Sequence, residues 1–489
     1  MDERIAQLSD MIDYGIQQAN KLGIDEAEGY GIHAVDFSAE IEKGKPQFTN
    51  GLFEGISFRV IADNQIGFAF TRSLARQDIE QTIKNAIHNA QAQAKIDPTE
   101  VTPNLPPLKP IRQKVTIDPS LRNLSADTVI EGLSRLQAAC EDSPAHMLFL
   151  GAQILGSYGH VLLRNTNEIN FLGEVGFLGA GGYILTTKGL MPSYGLEFDV
   201  KRSVNLGYET LADKIKEETT RGADPRTINY SKKSTVILEP DAMGMIFGSL
   251  GEVLKTMLRG DRIYNGDSHY TDRIGEQIAP PEITLVDNPH HPTLPVVAEF
   301  DAEGVPTQKT VLIEKGILKD IYLDSKYANL MERPSNGKST RFGTFPLLGE
   351  TLKQNPKIGS YVMEMSPGTT TREEIIQETS EGFIIKNLMG VHMSDYSSGR
   401  FSVTGTGWYV KNGKVLHAVQ DIALSGTIPE LLQNIDMVSK ERKPLITAEL
   451  PWIRVQNLNV SGKQHPLTFR LGLRLMKLLV KLKITKYPF

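Results

Sequence analysis

Residues 28–72 read EGYGIHAVDFSAEIEKGKPQFTN and then GLFEGISFRVIADNQIGFAFTR. Apolar and polar residues alternate through both halves, between turns that contain Gly and Asn, and the pattern reads as antiparallel strands. Helical periodicity brackets the stretch. On one side Ile5, Leu8, Ile12 and Ile16 recur at helical spacing; on the other, Ile79, Ile83, Ala86, Ile87 and Ala90 share one face of a helix over residues 78–94. Strands with amphipathic helices around them predict an α+β fold.

Further along, residues 96–119 (IDPTEVTPNLPPLKPIRQKVTIDP) carry six prolines and no helical period. They read as a linker or an extended wrap over the surface. A helix is expected over residues 127–139, strands over 146–206 with the small-residue run FLGAGGYILTTKG among them, and a helix over 211–220. The polar, turn-rich RGADPRTINYSKKS (221–234) is the best domain boundary. Beyond it, STVILEP is a short strand running into an apolar helix over 241–258. Strands then dominate to residue 459, as in EGFIIKNLMGVHMS and FSVTGTGWYVKNGKVLHAV. The expected organisation is an N-terminal α/β region with antiparallel strands (1–225), a larger, mainly antiparallel sheet domain (230–463), and a tail (464–489).

Composition narrows the function classes. The chain has 489 residues, with 53 Lys+Arg against 58 Asp+Glu and a formal net charge of -5. A mildly acidic protein repels phosphates, which argues against nucleic acid as the main partner. Cys140 is the single cysteine, so a disulfide framework and a multi-cysteine metal site are excluded, and a reducing compartment is favoured. The N-terminal segment is an amphipathic helix with early acidic residues and not a secretory signal. No apolar run approaches the ~20 residues needed to cross a bilayer. A soluble, cytoplasmic protein is expected.

Three segments, in order and spacing, carry a family resemblance: residues 51–71, residues 299–328 (EFDAEGVPTQKTVLIEKGILKDIYLDSKYA) and residues 399–435 (GRFSVTGTGWYVKNGKVLHAVQDIALSGTIPELLQNI). Together the sequence resembles the TldD/TldE (PmbA) metalloprotease family, also called the modulator of DNA gyrase family, from about residue 5 to about residue 463. TldD-type members carry HExxxH on a helix, the two histidines holding zinc and the glutamate serving as general base. Aligned through Pro240 and Gly244, that motif falls on GSLGEV. Gly248 stands at the first His, Ser249 at the Glu and Val253 at the second His, and the family's late cysteine ligand is missing. None of these side chains binds zinc well.

The resemblance therefore implies a TldE-type chain with no catalytic residues and no cofactor of its own, zinc being expected only in a partner. The implied partner is a TldD-like subunit, or a second copy of this chain in a dimer, and the implied substrates are flexible, extended peptides. The rival readings are a stand-alone homodimeric pseudo-enzyme that binds peptides, and a hydrolase with unrecognised catalytic residues.

Other features have weaker chemistry. His290 and His291 are adjacent between prolines, with His269 upstream, a spacing that matches no zinc pattern and reads as a solvated loop. Ser249 lies outside any GxSxG elbow. The glycine runs 179–182 and 405–407 do not form phosphate loops, but Gly405, Thr406 and Gly407 sit in a strand that the family resemblance associates with extended peptides. In the tail, Arg470, Arg474, Lys477 and Lys481 form one basic stripe on a helix whose other face is leucine-rich. Such a helix packs on its own domain, docks in a partner's groove or lies on an anionic membrane surface.

Overall fold

The computed structural model describes residues 2–42, 44–96, 104–111, 113–189, 191–247, 252–341 and 348–463. The fold is α+β, built on two sheets. The first unit runs α1 (Asp2–Lys21), β1 (Ala27–Glu42), β2 (Lys45–Ala62), β3 (Gln65–Thr71), α2 (Arg76–Ile96), α3 (Ala126–Glu141), β4 (Met147–Asn165), β5 (Asn170–Thr186), β6 (Ser193–Lys201) and α4 (Tyr208–Arg221). Its six strands lie in the order β3-β2-β1-β4-β5-β6, and every neighbouring pair is antiparallel.

The period of two decides which side chains meet the helices. Ile56, Phe58 and Val60 of β2 pack with Leu8 and Ile12 of α1 and Ile79 and Ile83 of α2. Ile154 and Leu178 pack with Leu133 and Leu136 of α3 and Leu211 and Ile215 of α4. Helix α2 lies so close to β3 that a Cβ on Gly67 would collide with the backbone oxygen of Ala86. The other face of β1, through Tyr30, Ile32 and Ala34, clusters with Leu348 and Leu352 of the second unit. The proline-rich segment is a wrap: Leu105 and Pro106 are buried, and the Leu105 amide donates to Glu26 at 2.6 Å.

The second unit runs β7 (Tyr230–Leu238), α5 (Pro240–Phe247), α6 (Val253–Met257), α7 (Gly260–Tyr264), β8 (Leu285–Asp287), β9 (Thr310–Glu314), β10 (Ile317–Leu318), α8 (Ser325–Leu330), β11 (Ser339–Thr340), α9 (Leu348–Thr351), β12 (Lys357–Ile358) and β13 (Met363–Met365). It continues through α10 (Arg372–Gln377), β14 (Glu381–Met389), β15 (Arg400–Lys411), β16 (Lys414–Thr427), α11 (Ile428–Gln433), β17 (Ile435–Pro444) and β18 (Ala448–Gly462). Ten of these strands form one sheet in the order β10-β9-β8-β13-β18-β16-β15-β14-β7, with β17 on β18. Most pairs are antiparallel, but β14–β7 and β13–β18 are parallel. Because β7 also pairs with β18, the strands β7, β14, β15, β16 and β18 close into a ring.

Alternation sorts the ring's side chains. Val236, Leu238, Phe383, Ile385, Ile453 and Val455 join the main core with α5 and α6. Ile237, Ile384 and Trp408 belong to a separate cluster that includes Ile375 of α10.

A buried ionic cluster ties the units together. Arg59 of β2 bonds Glu28 of β1 at 2.7 Å and Glu303 of the second unit at 3.0 Å. Arg341 approaches Glu28 at 3.2 Å and lies over the Tyr30 ring at 4.2 Å.

Candidate functional site

The locus aligned with the family's metal motif begins where β7 leaves the ring. The Glu239 amide donates to the Ile385 carbonyl at 2.9 Å, and Pro240, with its preset φ, opens α5. Helix α5 is apolar on nearly every side, with Ala242, Met243, Gly244, Ile246 and Phe247 buried. A Cβ on Gly244 would come within 2.6 Å of Leu445, so Leu445 is seated against that glycine.

The single helix expected over 241–258 is corrected to two. Glu252 stands at φ 50° in the left-handed region, where a regular helix does not pass, and α6 starts only at Val253. Gly248 and Ser249 lie outside the described residues. Val253 is fully buried, in the same core as Leu254 and Met257. A carbon-only side chain in an apolar core offers a metal no donor, so the described part of this locus does not fit zinc. Among the described residues, no group of three or more His, Cys, Asp or Glu is arranged to hold a metal.

Beside α5 lies a charge network that the sequence reading missed. Lys443 of β17 contacts Asp241 at 2.9 Å and Glu197 of β6 at 3.1 Å. Lys386 of β14 contacts Glu197 at 2.6 Å and Glu218 of α4 at 2.7 Å. Arg221 bonds Glu218 at 2.6 Å and Glu239 at 3.2 Å, and Arg372 lies 3.8 Å from Glu239. Burial raises Glu197, but Lys443 and Lys386 outweigh it and hold the carboxyl below its ordinary value. For Glu239 burial wins over Arg221 and Arg372, and its carboxyl is raised.

A depressed carboxyl stabilises the fold above its unfolded value and loses that contribution as pH falls through its folded one. Glu197→Gln should therefore cost most stability near neutral pH. The difference from the unsubstituted protein should shrink as pH falls below the ordinary 4.5. Melting temperatures of both proteins between neutral and acid pH test this, and a constant difference would contradict it.

Two cavities adjoin this network. One, of about 520 Å³, is walled by Arg221, Arg226, Arg372, Trp408 and His417, with Asp224 as its acidic residue. Arg221 lies over the Trp408 ring at 4.1 Å, and Trp408 Nε1 donates to the Arg221 carbonyl at 2.8 Å. The other, of about 90 Å³, takes in Lys386, Thr406 and Gly407. Strand β15 is paired on both sides, Gly405 with Leu388 and Ile422, Gly407 with Ile385 and Val419. An incoming peptide therefore finds no open ladder at Gly405 and Gly407, while Thr406 sits where the β15–β16 register shifts.

A third cavity, of about 340 Å³, lies between the units and includes Tyr30, Asp301, Arg341 and Tyr361. Burial lowers Arg341 to about 10 despite Glu28. Burial and Glu303 raise Asp324 to about 7.

The three histidines take separate partners. His290 Nε2 meets Thr307 Oγ1 at 2.9 Å, and His269 Nε2 meets Arg273 at 2.5 Å. His291 is buried rather than solvated; its Nδ1 accepts the Leu294 amide at 3.1 Å, and Glu449 and Glu364 lie near its Nε2. Arg470, Arg474, Lys477 and Lys481 lie outside the described residues. Among the described residues no helix is long and apolar enough to cross a membrane.

Comparison with known proteins agrees with this architecture. A family model described as the PmbA/TldA metallopeptidase C-terminal domain matches residues 231–462, and one described as PmbA/TldA metallopeptidase domain 1 matches residues 27–90. The chain belongs to the PmbA/TldD metallopeptidase family. It is 22% identical to the metalloprotease PmbA homolog of Haemophilus influenzae, over 93% of this chain and 96% of the relative. With a metalloprotease TldD homolog of Buchnera aphidicola it shares 24% identity over 80% of each chain. Among solved structures, TldE from Thermococcus kodakarensis superposes with a TM-score of 0.81 at 24% identity, covering 93% of this chain and 100% of that one.

Proposed function

We propose that this chain is a non-catalytic TldE/PmbA-like subunit that pairs with a zinc-bearing TldD-like protein in the proteolysis of flexible, extended peptides in the cytoplasm. The observation that supports the reading is Val253: where the family's second metal histidine belongs, a fully buried valine opens a separate short helix. Gly248 and Ser249 remove the other histidine and the general base. Zinc then belongs to the partner, and this chain stabilises that partner and restricts access to its metal. Pairing of this kind buries an interface on the order of 2,000 Å² or more. The basic stripe Arg470, Arg474, Lys477 and Lys481 is assigned to packing, on this chain or on the partner, because the rest of the molecule is acidic.

Affinity purification from the native host, with mass spectrometry of the bound chains, tests the proposal. An HExxxH-bearing homologue is expected at near-equal amount. A chain that purifies only with itself, and shows chelator-sensitive peptidase activity, would overturn it.

A further inference from the structure

The charge on the 520 Å³ cavity is arranged unevenly. Three arginines, Arg221, Arg226 and Arg372, are among the residues lining it, against the acidic residue Asp224. The carboxylates that balance Arg221, those of Glu218 and Glu239, are not among the residues lining the cavity. Arg372 reaches Glu239 only at 3.8 Å and otherwise lies over the Trp452 ring at 5.3 Å. Arg226 is exposed, and its guanidinium makes no hydrogen bond or ion pair among the described residues. An unpartnered guanidinium is a planar fork suited to a carboxylate.

The same cavity borders an open strand edge. One side of β16 is paired with β15, with two register shifts that leave Leu416, Gln420 and Asp421 without a partner in that ladder. On its other side β18 pairs only with residues 422–425. Ahead of these, Arg226 alone bridges β16, its amide donating to the Ala418 carbonyl at 2.9 Å and its carbonyl accepting the Gln420 amide at 3.2 Å. Residues 414–417 thus present an edge with no backbone pairing among the described residues. Val415 and Leu416, both in the cavity wall, are about half exposed. An unpaired edge with exposed apolar side chains is a template for strand addition, and natural proteins usually cover or blunt such an edge.

We propose that this edge and the arginine-walled cavity beside it bind an acidic, extended peptide segment. The peptide pairs with the backbone at residues 414–417, lays apolar side chains on Val415 and Leu416, and places a carboxylate against Arg226 and Arg372. Two independent features select this occupant. The edge requires an extended backbone, which free anions lack, and the wall requires negative charge. The site needs neither zinc nor the proposed subunit partner, so it goes beyond the function proposed above and stands or falls separately from it.

Calorimetric titration of the full-length chain tests the site with three probes: a glutamate-bearing extended peptide, its glutamine counterpart, and the acidic peptide N-methylated at alternate backbone amides. Saturable binding of the acidic peptide is expected, weakening as salt rises. Arg226→Gln should weaken it about tenfold, the scale of one charge-assisted hydrogen bond, and Arg226→Lys should restore part of the loss. The substituted side chain is exposed and unpartnered, so an unchanged melting temperature separates lost binding from lost folding. Equal affinity for the glutamine peptide, equal affinity for the N-methylated peptide, an unchanged Arg226→Gln protein, or inorganic phosphate binding as tightly as the peptide would each overturn the proposal. The purification from the native host reads the subunit pairing independently of all these outcomes.

Discussion

Arg59→Met is expected to destabilise the protein by about 3–5 kcal/mol, the cost of breaking a buried ion pair by removing one partner. Arg59 is almost completely enclosed, and burial, which opposes its charge, is outweighed by Glu28 and Glu303. Its removal leaves Glu303 without that cation and Glu28, among the described residues, with Arg341 at 3.2 Å. Urea unfolding followed by fluorescence measures the loss. Adding Glu303→Gln to Arg59→Met should recover part of it, because the stranded charge goes with its partner. A loss below about 1 kcal/mol, typical of an exposed pair, would show that water reaches the cluster.

Rebuilding the metal motif by Gly248→His, Ser249→Glu and Val253→His is expected to give neither one zinc per chain nor peptidase activity. Glu252 at φ 50° separates α5 from α6, so the new histidines do not share one continuous helix. Leu445 is packed against Gly244, and the late cysteine ligand remains absent. Missing outer partners weaken a metal site about ten- to a hundredfold even when its ligands are right. The Val253→His component should also destabilise the fold by about 2–3 kcal/mol, since it buries a polar ring in a packed apolar core. Metal analysis and a peptidase assay decide the matter. Zinc near one per chain with chelator-sensitive hydrolysis would mean that the locus still supports chemistry.

Periodicity made the elements legible where burial is one-sided. Ile79, Ile83, Ala86 and Ala90 do face the sheet, and the alternation in residues 28–72 is the β1–β2–β3 meander. The break between α5 and α6 was not legible, because the left-handed Glu252 that marks it lies among apolar residues that continue the helical pattern on either side. The ring closure was not legible, because parallel pairing of β7 with β14 joins segments that share no local signal. The same holds for the charge network, whose Glu197, Glu218, Glu239, Lys386 and Lys443 are ordinary surface residue types in sequence. Only the docking of α4 and β6 against β14 and β17 brings them together. His291 was misread as solvated for a related reason: its neighbours Glu364 and Glu449 come from strands far along the chain.

The closed ring also has a consequence for synthesis on the ribosome. Its first strand, β7, ends at Leu238, while the strand that closes it, β18, is the last element before residue 463. Strand β18 is bonded to β7, β13, β16 and β17 at once. Until it emerges, β7 has an unsatisfied edge and the core over α5 and α6 lacks Ile453 and Val455. Such long-range pairing is slow, since loop closure is opposed by chain entropy before any contact forms. The first unit's six strands, complete by Lys201, have no such dependence on later sequence for their pairing. Translation therefore completes the first unit's strand pairing well ahead of the second unit's, while the Tyr30, Ile32 and Ala34 face of β1 and the Arg59 guanidinium still await Leu348, Leu352 and Glu303.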